Sequence, residues 1–394
     1  MAEVAGAVVL ALSLAIIGPH FAGVEAPSGG RLPVATGDFL AFWTGAVMVH
    51  DGAGASFYDI TAQRDLQARI LGGSSPSFQP YLNPPLFAVL LSPLVPLGYR
   101  AAFYVYDLAS VAMLALGLVM LVRAVPAIRA LPGGTWTLIL LAASYQPMLL
   151  TTLGGQNTAV TFALLAGLVL ALQRGSTTAA AIALGLLTYK PQFAVGAGLA
   201  LLLAGRWRVV AGGVALGAAH WMLGAWQIGA RWPLDMLAFL RTYVPFELES
   251  NAQTHFSWVR TADYVFPAPL GGLLALAGVS LVLAAWWRFR ALGRNGSVAW
   301  MSLVVCGTML ASPHLQYYDV ALLVLPVCLL IDRQLARDGA VPFHVRALLV
   351  AALAGYPLWS YATWLHVQPL FFVLLGVSAW AVRSCAQAER CTLG

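Results

Sequence analysis

The sequence predicts an all-α, polytopic integral membrane protein built as a single helical domain over residues 1–394. Hydrophobic residues make up 60% of the chain and charged residues only 9%, whereas globular proteins contain about 25% charged residues. Mean hydropathy is +0.80, and apolar runs recur along the whole chain. At about 20 residues per membrane-spanning helix, the length accommodates about 12–13 membrane segments. No stretch remains for a separate catalytic domain, so a soluble enzyme, a disordered protein and a nucleic-acid-binding domain are excluded.

The basic residues indicate how the chain is oriented in the membrane. They comprise 20 arginines and one lysine, Lys190. The arginines are scattered at the ends of apolar runs and do not form the clustered patch of a nucleic-acid-binding surface. The positive-inside rule assigns these arginine-rich ends to the cytoplasm. The polar segments 25–83 and 229–262 then face outward, and we expect a bacterial inner-membrane protein whose functional face is periplasmic.

This orientation depends on two apolar runs. The run 5–24 has no basic segment before it and is long enough to span, so it is predicted to be a retained first helix and not a cleaved signal peptide. The Pro-rich stretch 84–97 must dip into the membrane without traversing it, so that 84–122 makes one net crossing. Several other runs are short for a full span, which favours tilted, broken or re-entrant helices that are covered by protein.

The two outward segments contain most of the polar and aromatic motifs. In 25–83 the sequence predicts a helix starting at Asp38, a second helix around 59–71 and a Gly/Ser/Pro linker at 72–80. Aromatic residues near a polar helix start are typical of helices that lie in the membrane interface. The second outer segment, 229–262, is likewise rich in aromatic and charged side chains.

Several kinds of site are absent from the sequence. The four cysteines have no disulfide framework, and the seven histidines have no metal-ligand spacing. The single lysine is followed by Pro191, which excludes a P-loop. No metal site and no cofactor are predicted, although a single carboxylate acting with a divalent metal stays open.

Asp38 and Lys190 are the first candidate site residues, and each has two interpretations. Asp38 is either the N-cap of the aromatic helix or a general base for a hydroxyl, with a pKa raised by partial burial. Lys190 is either a lysine whose stem snorkels at a helix end or a compact positive charge that meets a phosphate.

Five further residues have similar alternatives. His314 lies in a polar turn, as a helix-end residue or as a hydrogen-bond partner of an anionic headgroup. Gly154-Gly155-Gln156-Asn157 is either a helix C-cap followed by an Asn N-cap, or Gln156 and Asn157 supply amides for sugar hydroxyls. His255 and Trp258 belong to an interfacial anchor or to an aromatic platform for a sugar. All lie in segments assigned to the outward face, where a carboxylate, amides and cations suit sugar transfer from a lipid phosphate.

Five short motifs occur in order along residues 37–319. They are Gly-Asp-Phe-Leu-Ala-Phe-Trp from Gly37, Asn-Pro-Pro from Asn83, Gly-Gly-Gln-Asn from Gly154, Leu-Thr-Tyr-Lys-Pro-Gln from Leu187 and Ala-Ser-Pro-His-Leu-Gln-Tyr-Tyr-Asp from Ala311. No single motif is specific. As an ordered set they resemble the polyprenyl-phosphate-mannose-dependent mannosyltransferases of glycosyltransferase family 87, which have the GT-C membrane fold.

The resemblance implies a catalytic aspartate, Asp38, in the first outer loop and donor-phosphate-binding groups, Lys190 and His314. It also implies membrane lipids, a polyprenyl-phosphate sugar donor and a glycolipid or glycan acceptor as partners. Similar proteins often have an aromatic residue before the proline pair, where this chain has Asn83. Two other functions stay open. A lipid or small-solute transporter or flippase would place charges along a path and contain structural repeats. A lipid-linked sugar polymerase or ligase would differ in its acceptor.

Overall fold

The computed structural model describes residues 24–25, 31–32, 38–71, 78–153, 155–251, 255–361 and 368–393. This part of the chain is almost entirely helical, which confirms the predicted all-α class. It also contains one antiparallel pair of two-residue strands, β1 (Val24–Glu25) and β2 (Arg31–Leu32). The predicted first helix lies outside the described residues except for its last position, and so does most of the linker 72–80.

The first half of the described chain forms ten α-helices and three short 3-10 helices. The α-helices are α1 (Asp38–His50), α2 (Ile60–Ile70), α3 (Leu86–Leu91), α4 (Gly98–Ala124), α5 (Pro126–Ala130), α6 (Gly134–Ser144), α7 (Gln146–Leu153), α8 (Thr158–Gln173), α9 (Thr177–Leu186) and α10 (Pro191–Leu203). The 3-10 helices cover Gly54–Ser56, Ser92–Leu97 and Leu187–Tyr189.

The second half of the described chain contains nine further α-helices. They are α11 (Trp207–Ile228), α12 (Trp232–Asn251), α13 (Trp258–Val265), α14 (Leu270–Arg288), α15 (Arg290–Arg294), α16 (Val298–Ala311), α17 (Val324–Asp338), α18 (Phe343–Tyr361) and α19 (Pro369–Leu393). A 3-10 helix, Asp319–Leu323, lies between α16 and α17.

Four helical stretches of the described chain are long and apolar enough to cross a membrane: Leu86–Ala124, Trp207–Ile228, Leu270–Arg288 and Pro369–Cys391. Five more apolar helices have only 10–17 residues. Because a helix advances about 1.5 Å per residue, these are shorter than a hydrocarbon core of about 30 Å. The chain is therefore polytopic with several short segments, as the sequence predicts, and the number of crossings stays a prediction.

The first half of the Pro-rich stretch before α4 is covered by protein, whereas none of Ser92–Leu97 is buried. Its short helix α3 packs against α1 and buries Leu86, Phe87 and Leu91. A membrane segment that does not traverse needs such cover for its backbone groups. Helix α4 itself has 27 residues, which is enough for one crossing, and the single net crossing of 84–122 stays a prediction.

The first outer loop contains the two predicted helices. Helix α1 begins at Asp38, and α2 is capped by Asp59, whose carboxylate accepts a 2.9 Å hydrogen bond from the Ala62 N–H. The aromatic residues of α1 are buried in the protein. The Phe39 ring lies 5.2 Å from the Phe103 ring in an edge-on contact. Aromatic packing therefore fixes the helix that begins with Asp38.

Two glutamines of α2 hold the chain that leads into the membrane. The buried Gln63 accepts a 2.8 Å hydrogen bond from the Tyr81 N–H and donates to the Phe57 carbonyl. One turn later, Gln67 accepts from the Gln79 N–H at 3.1 Å and donates to the Gln79 carbonyl. Residues 79–81 are thus tied to α2 by amide side chains that share one helix face.

The hydrophobic core consists of two clusters. The first surrounds α1 and includes Phe42, Tyr81, Phe87, Trp232 and Tyr243. The second surrounds α8, α10, α16, α17 and α19 and includes Phe162, Phe193, Trp286, Trp300 and Leu325. A large cavity is lined by members of both clusters, so the fold places it where the two meet.

A buried carboxylate joins two distant parts of the bundle. Asp332 of α17 accepts a 2.9 Å hydrogen bond from the backbone N–H of Ile128 in α5. We expect Asp332→Ala to lower the free energy of unfolding by about 1–3 kcal/mol, because it leaves a buried N–H unpaired. Asp332→Asn keeps an acceptor oxygen and is the matched control. Thermal unfolding of the detergent-solubilised protein measures both, and equal midpoints for Asp332→Ala and the parent would contradict the expected cost.

Candidate active site

The structure brings five of the seven predicted site residues to one cavity of about 900 Å³. The five are Asp38, Gln156, Asn157, Lys190 and His314. They come from the start of α1, the α7–α8 loop, the start of α10 and the turn after α16. Residues far apart in the chain therefore form a shared polar wall.

Asp38 is the first residue of α1, lines the cavity and is partly accessible from it. Its carboxyl accepts hydrogen bonds from the side chains of Gln156 and Tyr318, which belong to two other parts of the chain. Burial raises the pKa of Asp38, while the two hydrogen bonds and the charges of Lys190 and His314 partly oppose the rise. Both hydrogen-bond donors belong to parts of the chain other than α1, so Asp38 is held by tertiary contacts.

The Gly-Gly-Gln-Asn motif approaches α1 closely. Gly155 has a φ of +66°, and its N–H donates to the Thr152 carbonyl at 3.3 Å. This left-handed glycine after α7 fits the C-cap interpretation. A Cβ atom at Gly155 would lie 2.7 Å from the Cβ of Phe39. A glycine at this position therefore lets the loop contact α1 directly beside Asp38.

Gln156 and Asn157 offer hydrogen-bonding groups to the cavity. Both side chains are buried, and among the described residues neither the Gln156 Oε1 nor the Asn157 Nδ2 has a partner. Asn157 occupies the N-cap position of α8, as the sequence allows, but its side chain makes no capping bond. An acceptor and a donor are thus placed beside Asp38 at the cavity wall, where a polyhydroxylated ligand would satisfy them.

Lys190 is a buried ion-pair partner. Its Nζ donates to Asp319 Oδ1 at 2.7 Å and to Thr158 Oγ1 at 3.2 Å. It also lies 5.5 Å from the centroid of the Tyr318 ring. Only 5% of the residue is exposed, so the ammonium does not snorkel to water. An ammonium has three donors, and one of them remains for a ligand in the cavity.

Three residues at the site escaped the sequence-based prediction: Tyr318, Asp319 and Arg260. Asp319 opens a 3-10 helix, a position that a polar residue before an apolar run occupies without any functional role, although a lone buried lysine requires a counter-ion. Arg260 lines the cavity, and its Nε donates to the Pro313 carbonyl at 2.6 Å. It also lies 3.6 Å from Asp263. Nothing in the sequence distinguishes Arg260 from the other arginines.

His255 and Trp258 do not line the cavity. The His255 ring lies 5.8 Å from the His314 ring, and burial lowers the pKa of His255 to about 3. Its main chain pairs with Gln316 in an isolated antiparallel bridge. The Trp258 indole donates to the Leu274 carbonyl at 2.8 Å and so supports α14. The aromatic side chains at the cavity are instead Tyr243, Trp286 and Tyr317, among others.

Comparison with known proteins gives one match. A family model described as glycosyltransferase family 87 matches residues 81–313, which is more than half of the chain. The matched range contains Gln156, Asn157 and Lys190, whereas Asp38 precedes it and His314 follows it by one residue. A search of curated proteins finds no match.

The close approach of Gly155 to Phe39 predicts the effect of one methyl group. Gly155→Ala places a Cβ against α1 and shifts the loop beside Asp38. We expect the rate of glycosyl transfer to fall roughly 10- to 100-fold, as small misplacements at reacting groups do.

Gly175→Ala is the matched control for this experiment. Gly175 has a φ of +68°, and nothing lies within 4 Å of its ideal Cβ position. This variant therefore carries the same backbone strain without the collision. Equal losses in the two variants would show that strain, and not the contact with Phe39, is responsible.

Proposed function

Because the chain belongs to glycosyltransferase family 87, we propose that its cavity transfers a sugar from a polyprenyl-phosphate donor to a lipid-linked or glycan acceptor. The reaction takes place at the non-cytoplasmic face, on the periplasmic side of a bacterial inner membrane. Mannose is the donor sugar to test first, because the ordered motifs resemble mannosyltransferases. The observation that carries the proposal is a hydrogen-bonded carboxyl, Asp38, in a cavity that also contains cations and apolar walls.

The apolar part of the cavity supports a lipid-linked donor. Val195 and Leu199 of α10 and Leu283 of α14 line the cavity and are also exposed on the surface of the bundle. An apolar chain could therefore extend from the polar wall along these two helices into the bilayer. Apolar lining with a few converging polar groups is the usual design of a small-molecule site.

Asp38 is the proposed general base of a one-step displacement. Its carboxylate takes the proton of the acceptor hydroxyl while the hydroxyl oxygen bonds to the anomeric carbon. The bond from that carbon to the phosphate oxygen breaks, and polyprenyl phosphate leaves with the bonding electrons. Attack opposite the leaving group inverts the anomeric centre. Gln156 and Tyr318, which hydrogen-bond the carboxyl, hold it in orientation.

The donor phosphate is proposed to bind between Lys190 and His314. Both line the cavity, and Lys190 has one donor beyond its bonds to Asp319 and Thr158. Arg260 lies on the same wall and adds a third cationic group. Positive groups at the leaving phosphate stabilise the charge that develops there, which is usually the largest electrostatic contribution to such a transfer.

The sugar is proposed to bind through Gln156 and Asn157. Their free acceptor and donor lie beside Asp38, within reach of a sugar whose anomeric carbon faces the base. We do not extend the sugar or acceptor site to His255 and Trp258, since neither lines the cavity.

Asp38→Asn is the direct test of the base. The amide keeps the shape of the side chain but cannot take a proton, and we expect a rate loss of about 10²–10⁴. In the parent enzyme the carboxylate is the active form, and burial raises its pKa. Activity should therefore fall on acidification at a higher pH than the usual pKa of about 3.9 would give. The measurement is kcat/KM against pH with a short-chain polyprenyl-phosphate sugar.

Asp51→Asn serves as the control, because Asp51 is an exposed residue just after α1. It should transfer sugar at the parental rate. Near-parental turnover by a well-folded Asp38→Asn protein would rule out the proposed base.

Lys190 is tested by changes of its shape and of its charge. Lys190→Arg should lose most activity, because the larger planar guanidinium does not fit between Asp319 and Thr158. Lys190→Gln alone leaves Asp319 buried without a counter-ion, which costs about 3–5 kcal/mol of stability.

The double variant Lys190→Gln/Asp319→Asn removes both charges and separates folding from transfer. We expect it to extract and unfold like the parent, since neutral replacement of a buried pair costs little. Its kcat/KM should be lower by about 10- to 150-fold, the value of a charge-assisted contact of roughly 1.5–3 kcal/mol. Initial rates against donor concentration give these values. A fully active double variant or Lys190→Arg protein would remove Lys190 from the phosphate site.

A further inference from the structure

Three buried side chains from distant segments form a closed triangle beside the cavity. Asp319 Oδ1 accepts from Lys190 Nζ at 2.7 Å and from Thr158 Oγ1 at 2.6 Å. Lys190 Nζ also donates to Thr158 Oγ1 at 3.2 Å. Each member therefore contacts the other two, and Asp319 is fully buried.

Two corners of the triangle are close in sequence to a group at Asp38. Thr158 follows Gln156 by two residues, and Asp319 directly follows Tyr318. Gln156 and Tyr318 are the two side chains that hydrogen-bond the Asp38 carboxyl. The triangle thus fixes the separation of the elements that hold Asp38.

The site contains two carboxylates and one ammonium. Lys190 and Asp38 line the same cavity, but Lys190 makes its 2.7 Å contact with Asp319 and acts on Asp38 only through its electric field. An ammonium in direct contact with a carboxylate stabilises the charged form and weakens its affinity for a proton. A contact between Lys190 and Asp38 would therefore make Asp38 a poorer base.

We propose that Asp319 is a positioning residue that holds Lys190 away from Asp38, so that Asp38 stays available to take the acceptor proton. This inference rests on the proposed function. Asp319 touches neither substrate in this arrangement. It acts by pairing with the Lys190 ammonium, which would otherwise pair with the Asp38 carboxylate.

The pH dependence of Asp38 also reflects the groups around it, and an experiment on Asp38 must control for them. They are Gln156 and Tyr318 through hydrogen bonds, and Lys190 and His314 through charge. Tyr106 also interacts with Asp38, but as a phenol it is neutral over the working range, as is Tyr318. Each comparison is repeated in a His314→Gln background, which removes the imidazole from the pH profile.

The first experiment is the pH dependence of kcat for Asp319→Asn and Asp319→Glu, with a short-chain polyprenyl-phosphate sugar as donor. In Asp319→Asn, Lys190 loses its counter-ion and pairs with Asp38. We expect kcat to fall at least about tenfold and the acid limb of the profile to move to lower pH. Asp319→Glu keeps the charge, so its acid limb should stay at the parental position. An unmoved limb in active Asp319→Asn would overturn the proposal, since a purely structural role changes only the amplitude.

A second experiment places the cation in a protein that has already folded. Lys190→Cys/Asp319→Asn is prepared in a background without the four native cysteines and then treated with a methanethiosulfonate reagent carrying an ethylammonium group. The neutral methyl methanethiosulfonate is the control. Only the ammonium should move the acid limb to lower pH, and equal profiles after both treatments would overturn the proposal. Two other results would overturn the proposed function itself: no sugar transfer by the parent protein, or full activity of the Asp38→Asn variant.

Discussion

The buried ion pair between Lys190 and Asp319 is the interaction on which the site depends. Taking two charges out of water is costly, and it is tolerated only where geometry is good and further hydrogen bonds satisfy the pair. Thr158 bonds to both charged groups, whereas Asp319 Oδ2 has no hydrogen-bond partner among the described residues. Because the three residues open or precede α8, α10 and the 3-10 helix after α16, one polar contact sets the register of three segments within an apolar bundle.

Two hydrophobic clusters hold the residues that surround this ion pair. The aromatic cluster around α1 fixes the residue that carries the carboxyl, and the aliphatic cluster around α8 and α16 fixes the residues that surround it. A polar cavity at their junction needs no soluble domain to enclose it. The same boundary also gives a ligand both an apolar and a polar wall, as a substrate with a lipid tail and a charged headgroup requires.

Local chemistry made several helix starts and the apolar helices predictable from the sequence. The helix start at Asp38 and the cap at Asp59 follow from a polar residue before an apolar run, and the long apolar helices follow from the apolar runs of the sequence. The partner of Lys190 could not be predicted from the sequence, because Asp319 is 129 positions away and only tertiary packing brings the two residues together. For Trp258 the sequence leaves an interfacial anchor and a sugar platform open, because aromatic side chains suit both. In the structure its indole bonds to the Leu274 carbonyl and the residue does not line the cavity.

The two glutamines of α2 influence the shape of the cavity, although their side chains do not line it. Gln79 and Pro80 belong to the cavity rim, and their backbone position is set by Gln63 and Gln67, whose side chains do not line the cavity. The outer residues of α2 are free to vary, whereas two inward positions one turn apart are not. A change at either position would move residues 79–81 at the cavity wall without altering the identity of any residue that lines the cavity.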